Sequence, residues 1–216
     1  MNLANIVLQL SEGMLQTVII FLLTLLFSMP LGLVVALARM SKFKPLALLA
    51  KIYISVLRGT PLMLQIMFVY FSPYYIFGIS LSLEYRFIAV IIAFSINYAA
   101  YFAEIYRAGI ESIPVGQYEA ANVLGFTKAQ TFFRIILPQV IKRIIPPVTN
   151  EIITLIKDTS LAFVISYAEM FTIAQRIAAK ESNVTSFIVA AVFYYIFNLI
   201  VAVVMEKVEK KFDYYR

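Results

Sequence analysis

The residues best placed to do chemistry in this chain are charges embedded in apolar runs. Lys157-Asp158 and Glu151 lie within one such run, Glu104 lies near the end of another, and Arg58 interrupts a third. An ionised side chain in a lipid interior is costly, so residues of this kind face a wet cavity or a partner. Asp158 sits nearest mid-run, followed by Thr159 and Ser160, and a carboxylate there can receive a guanidinium or ammonium group. Asn97, Tyr98 and Tyr101 occupy the turns before Glu104 and make a second polar cluster at membrane depth. The structural alternative is an ion pair locking helices together, such as Arg58 with Glu104 or Lys157 with Glu151. Neighbouring residues on a helix point about 100° apart, so Lys157 is poorly placed to neutralise Asp158.

Other chemistries are excluded or weakly supported. The chain has no Cys and no His, which removes thiol nucleophiles, disulfides, Cys/His zinc sites and His-based proton transfer. No G-x-x-x-x-G-K-[ST] phosphate loop, G-x-S-x-G elbow or H-E-x-x-H helix occurs. Lys157 and Ser160 stand three apart, a spacing common on polar helices and thin support for Ser–Lys catalysis. No catalytic residue, metal ligand or cofactor is therefore assigned to this chain.

The elements holding these charges are membrane helices. The composition is 62% hydrophobic and 14% charged, with a mean hydropathy of +0.88. Apolar runs near the roughly 20 residues needed to cross a bilayer recur along it. Backbone groups in lipid must pair internally, so the runs are expected to be helices. The reading is an all-α polytopic protein with five spans in one domain, 1–216. Residues 1–13 are read as a short interfacial helix or a frayed terminus. The spans follow at about 14–38, 52–75, 85–106, 147–166 and 184–205. Pro30 is a candidate bend. The second span is expected to break near Gly59, with Thr60 as N-cap and Pro61 opening a new helix. Residues 72–83 are expected to be a loop, 167–183 a polar connection, and 206–216 a charged tail. Pro146-Pro147 is expected to start the fourth span.

The longest stretch outside these spans is 119–138, EAANVLGFTKAQTFFRIILP. It reads as two short helices: Gln117 to Leu124, stopped by Gly125, then a second opened by a Thr127/Gln130 capping box. Basic residues set the orientation. Segments 39–51, 107–143 and 207–216 hold thirteen Lys/Arg, and the alternating segments 1–13, 72–86 and 167–183 hold three. That excess places the first set in the cytoplasm and the N-terminus outside. The net charge of +6 is thus a topology signal, and no nucleic-acid partner is needed.

Glu119-Ala120-Ala121, Gly125, Ile135 and Leu137-Pro138 also resemble, at every fixed position, the EAA loop in membrane subunits of bacterial ABC importers. The likeness extends through Arg58-Gly59-Thr60-Pro61, Ala103-Glu104, Arg107-Ala108-Gly109-Ile110 and Lys157-Asp158-Thr159-Ser160-Leu161 to the branch importing polar amino acids, the histidine, arginine/lysine and glutamine/glutamate permeases. Ala108 stands where that branch commonly has Gly. The resemblance implies a permease subunit of the cell inner membrane, paired with an identical or similar subunit. It also implies two copies of an ABC ATPase, which carry ATP and Mg, and an external solute-binding protein. Glu119, Ala120, Ala121 and Gly125 would couple to the ATPase. The candidate substrate-binding residues are Gly59, Thr60, Gln65, Asn97, Tyr98, Glu104 and Asp158, for a polar amino acid, a basic one by preference. Two other classes stay open here: an intramembrane enzyme using Asp158, Glu104 or Lys157, and a structural membrane subunit that transports nothing.

Overall fold

A computed structural model describes residues 2–212, which contain helices and no strand. The helices are α1 (Leu3–Arg39), α2 (Lys44–Gly59), α3 (Leu62–Phe77), α4 (Tyr85–Glu111), α5 (Val115–Val123), α6 (Lys128–Gln130), α7 (Leu137–Asp158), α8 (Met170–Glu181) and α9 (Thr185–Lys211). A π-helical turn (Thr131–Ile136) joins α6 to α7, and a 3-10 segment (Thr159–Ile165) follows α7. Helices α1, α4 and α9 are each long and apolar enough to cross a bilayer. Two bent pairs supply the remaining crossings, α2 with α3 at 109° and Lys128–Ile165 with α8 at 56°. The count is thus three spans, or up to five if each bent pair is one span, the upper figure matching the five apolar runs.

Helix α4 is the centre. In its most apolar stretch 67% of residues are buried, against 28% for α1 and 6% for α9. Small residues make this possible. Helix α1 presents Thr24, Ser28, Gly32 and Ala36 every fourth residue, all buried, toward the Ala-rich side of α4. Small residues at that spacing let membrane helices approach closely, since lipid gives no hydrophobic drive for association. A Cβ on Gly32 would lie 2.8 Å from Phe102 Cβ and 3.0 Å from the Ala99 carbonyl oxygen. On the other side, a Cβ on Gly109 would lie 2.2 Å from Ile144 Cγ2, so α7 is seated equally closely.

Several expectations are corrected. Residues 3–13 are neither frayed nor a separate interfacial helix. They continue α1, where Ile6 and Leu10 pack on Met170, Ala174 and Ile177 of α8. The 37-residue helix is about 55 Å long, against roughly 30 Å of hydrocarbon, so its first turns extend beyond the membrane and need that support. Pro30 lies inside α1 without interrupting it. Residues 167–183 are mostly α8 rather than a connection. Its N-cap Glu169 is fully buried and accepts from the N–H groups of Phe171 and Thr172, the Thr172 hydroxyl and Tyr194 Oη. Helix α3 runs through Pro73 to Phe77, so the loop before α4 is shorter than 72–83. It stops at Gly78, whose φ of +68° suits glycine.

The largest correction concerns the prolines. Pro146-Pro147 do not start a span, because α7 begins at Leu137 and passes through both. Val140, Ile145, Val148 and Ile152 bury one continuous face on either side of them, and packing of that face holds the helix where two N–H groups are missing. Pro138 has a visible effect just upstream. The chain widens there into the π turn, and the Leu137 N–H donates to Phe132 O. Helix α9 likewise continues to Lys211 through most of the predicted tail, whose last residues, 213–216, lie outside the described ones.

Candidate functional site

Asp158 is the last residue of α7, and Tyr98 stands at the middle of α4. Tyr98 Oη donates to Asp158 Oδ2 at 2.7 Å. The Tyr98 ring is 2% exposed and stacked on Phe94, with Tyr101 and Phe102 beside it, so the hydroxyl is held in one place. Lys157 is exposed on another face of α7. Among the described residues no cation forms an ion pair with Asp158. Its carboxylate keeps one positioned donor and stays half-exposed.

Thr60, Gln65 and Asn97 come together elsewhere, as a brace. Gln65 Nε2 donates to Leu57 O at 2.8 Å, Thr60 O at 3.1 Å and Thr60 Oγ1 at 2.8 Å. Asn97 Nδ2 donates to Gln65 Oε1 at 3.0 Å and to Leu57 O at 3.1 Å. These bonds satisfy the carbonyls that α2 leaves unpaired where it ends, and they fix the sharp α2–α3 turn to α4. The break is where the sequence placed it, but its chemistry differs. Thr60 closes α2, its hydroxyl donating to Val56 O, and the Pro61 carbonyl accepts the first bonds of α3. Gly59 is exposed at the apex, with open space where a Cβ would stand.

Glu104 belongs to a third group, on the stretch of α4 that leads to α5. Arg107 binds both of its carboxylate oxygens and also pairs with Glu111. Arg58 lies over the Tyr101 ring, its Cζ 5.1 Å from the centroid. Arg143 of α7 donates to the Ser112 carbonyl at the end of α4. Arg58, Tyr101, Glu104, Ser112, Arg143 and Glu151 line a cavity of about 390 Å³ between the end of α2, α4 and α7. The seven proposed substrate-binding residues thus fall into three separate places rather than one. Arg143 is not among the residues singled out from the sequence. Glu151, named from the sequence for its place in an apolar run, stands seven residues before Asp158 on one helical face.

The 115–138 element forms as its capping signals indicate. Helix α5 starts directly after Pro114, two residues earlier than predicted, and Gly125 closes it at a φ of +78°. Thr127 and Gln130 make the reciprocal capping box. Ala121 is buried, whereas Glu119 and Ala120 are exposed. Around them Val115, Val123 and Leu124 stand 69%, 87% and 73% exposed, apolar side chains on a short helix that no described residue covers.

Long apolar helices, a buried polar pair between α4 and α7 and a capped helix pair between them describe a membrane subunit. Residues 28–214 match the family described as "Binding-protein-dependent transport system inner membrane component". The chain belongs to this family. The permease is 42% identical over 208 residues to the L-cystine transport system permease protein TcyB of Bacillus subtilis (strain 168), covering 95% of this chain and 87% of that one. It is 37% identical over 201 residues to the arginine transport system permease protein ArtQ of the same organism, covering 93% and 90%. A solved structure described as "Crystal structure of an amino acid ABC transporter with histidines" superposes with a TM-score of 0.86 at 34% identity, covering 94% of both chains. The permease is therefore a transport subunit rather than an enzyme. A separate ATPase hydrolyses the ATP, and a binding protein delivers the substrate. The intramembrane-enzyme and purely structural readings fall away.

Proposed function

We propose that the permease carries polar α-amino acids, with a preference for cationic side chains, and that Asp158 is the residue meeting the cation. The observation that carries this reading is the Tyr98–Asp158 pair: a half-exposed carboxylate with one fixed donor and, among the described residues, no ion-pair partner. Tyr98 orients it. Gln65, Asn97 and Thr60 support the site by fixing the α2–α3 turn, with Gly59 at its open apex. Glu104 shapes the approach while held by Arg107. Relatives are named for cystine and for arginine, which supports no one side chain over another, so the preference for cations rests on Asp158 alone. Uptake by the reconstituted importer, with Asp158→Asn beside wild type, tests it.

The orientation we infer is N-terminus outside and C-terminus in the cytoplasm, from the basic-residue excess. Single cysteines at Asn2, Ser80 and Lys180 are expected to react with an impermeant thiol reagent on intact cells, and those at Lys44, Lys128 and Lys211 only after permeabilisation. The native chain contributes no background, having no Cys. The reverse pattern would refute the orientation.

The α5 patch with Glu119, Ala120, Ala121 and Gly125 is the ATPase dock in this reading. Two ATPase copies and a second permease subunit, an identical one by preference, complete the importer. Gly125→Val puts a β-branched residue at a φ of +78° and is expected to disorder the end of α5 while leaving the spans inserted. Glu119→Arg reverses an exposed charge beside the patch. Each is expected to lower ATPase recovery in co-purification severalfold with the permease yield unchanged. Full ATPase recovery with both variants removes this assignment.

A further inference from the structure

A second cavity, of about 410 Å³, lies between the start of α7 and the end of α9, and none of the candidate site residues is on its wall. Four charged side chains line it: Lys142 of α7, and Glu206, Glu209 and Lys210 of α9. The rest of its lining is apolar, from Ile145, Pro146 and Phe212. Glu206, Glu209 and Lys210 share one face of α9 by their spacing of three and four. Lys210 Nζ donates to Glu206 Oε1, which engages one of its three ammonium donors. Glu209 is exposed and forms no ion pair among the described residues.

The sequence sets the depth of this cavity. From Thr185 to Met205 α9 carries no charge, and from Glu206 onward it is densely charged. In α7 Lys142 and Arg143 are followed by no charge until Glu151. Both helices thus change from apolar to charged at the cavity, and that change marks the level of the lipid headgroups. The placement holds whichever side of the membrane this edge faces. One to two turns deeper, Leu199, Ile200, Val203 and Val204 stand exposed on α9, a surface for acyl chains. A purely basic pocket between membrane helices suits an anionic headgroup. Here two carboxylates offset two ammonium groups, so the complementary head carries both signs. Its phosphate meets Lys142 and the remaining donors of Lys210, and its ammonium donates to Glu209. Phosphatidylethanolamine presents a phosphate and a primary ammonium joined by a short link. The quaternary ammonium of phosphatidylcholine has no N–H to donate, and phosphatidylglycerol has no cation.

We propose that the cavity between α7 and α9 is a lipid site, which seats the headgroup of phosphatidylethanolamine with its phosphate on Lys142 and Lys210 and its ammonium on Glu209. The site is independent of which amino acid the permease carries and of the role of Asp158. A lipid seated there joins the start of α7 to the end of α9.

Native mass spectrometry of the permease–ATPase complex tests the site, after release from nanodiscs holding equal amounts of phosphatidylethanolamine, phosphatidylcholine and phosphatidylglycerol. The wild type is expected to retain phosphatidylethanolamine about fivefold over phosphatidylcholine, less than a buried charge-assisted hydrogen bond would give because Glu209 is open to water. Glu209→Gln keeps the size of the side chain and loses its charge, and is expected to bring that ratio close to parity. Lys142→Gln is expected to lower retention of both lipids severalfold and leave their ratio as in the wild type, since both carry the phosphate. Lys142→Arg keeps the charge and is expected to retain lipid like the wild type. The ratio is read within each preparation, so a lower yield of a variant does not move it. The site is overturned if the wild type retains the three lipids equally or retains none, if phosphatidylglycerol displaces phosphatidylethanolamine, or if Glu209→Gln keeps the wild-type ratio.

Discussion

Gly32→Leu is expected to leave little folded permease. Gly32 sits where α1 and α4 come closest, and even a Cβ there would stand 2.8 Å from Phe102 Cβ and 3.0 Å from the Ala99 carbonyl. Neither neighbour is the free end of a flexible side chain, so the helices themselves must separate. Overpacking a well-filled core costs about 1–3 kcal/mol even when the surroundings adjust. Here three more carbons follow the first, and separation also breaks the contacts of Thr24, Ser28 and Ala36 along the same stripe. Folded proteins have roughly 5–15 kcal/mol in hand, so the loss is a large share of the total. The measurement is monodisperse yield in detergent together with the melting temperature. Gly32→Ala is the graded control and should fall between the two. By contrast, Gly59→Leu meets open space and should match wild type in yield. A Gly32→Leu protein that melts like wild type would mean that α1 and α4 do not pack as described.

Where the sequence was legible, a strong local rule agreed with the final packing. The Thr127/Gln130 box and the Gly125 stop are satisfied within a few residues of themselves, so they could be read without knowing the fold. Composition revealed the five spans because lipid imposes helix on any apolar run. The rules failed where distant packing outweighed a local preference. Pro146-Pro147 carry the mark of a helix start, yet the buried face from Val140 to Ile152 keeps α7 whole across them. Residues 167–183 looked like a connection because α8 is amphipathic and polar, and only the long reach of α1 beyond the membrane gives its apolar side a partner. The site was half legible. Polar groups at membrane depth were found because such residues are rare, but rarity does not sort them. Asn97 stands next to Tyr98 in the sequence, and Gln65 lies in a different apolar run. Their side chains complete a backbone turn, while Tyr98 reaches Asp158, and that division depends on where α2 ends.

Asp158→Asn is expected to reduce amino-acid uptake by roughly 10- to 100-fold with little change in the folded protein. The side chains are equal in size, and the amide oxygen can still accept the Tyr98 hydroxyl, so the α4–α7 contact is kept. What is lost is the charge. A charge-assisted hydrogen bond to a guanidinium or ammonium group contributes about 1.5–3 kcal/mol, which is the source of the stated range. If Asp158 were instead half of a structural ion pair, its removal would leave a buried cation uncompensated and lower the yield. Among the described residues no such cation forms an ion pair with it, which favours the transport phenotype. Tyr98→Phe sharpens the test. It leaves the carboxylate charged but unoriented, so uptake should fall less than with Asp158→Asn, while a substrate with a neutral side chain should be affected little by either change. Detergent-stable yield, basal ATPase activity and uptake of arginine beside glutamine are measured on the same preparations. Parallel loss of yield and uptake would make Asp158 a structural residue. Equal loss for arginine and glutamine would remove the cation preference while leaving transport in place.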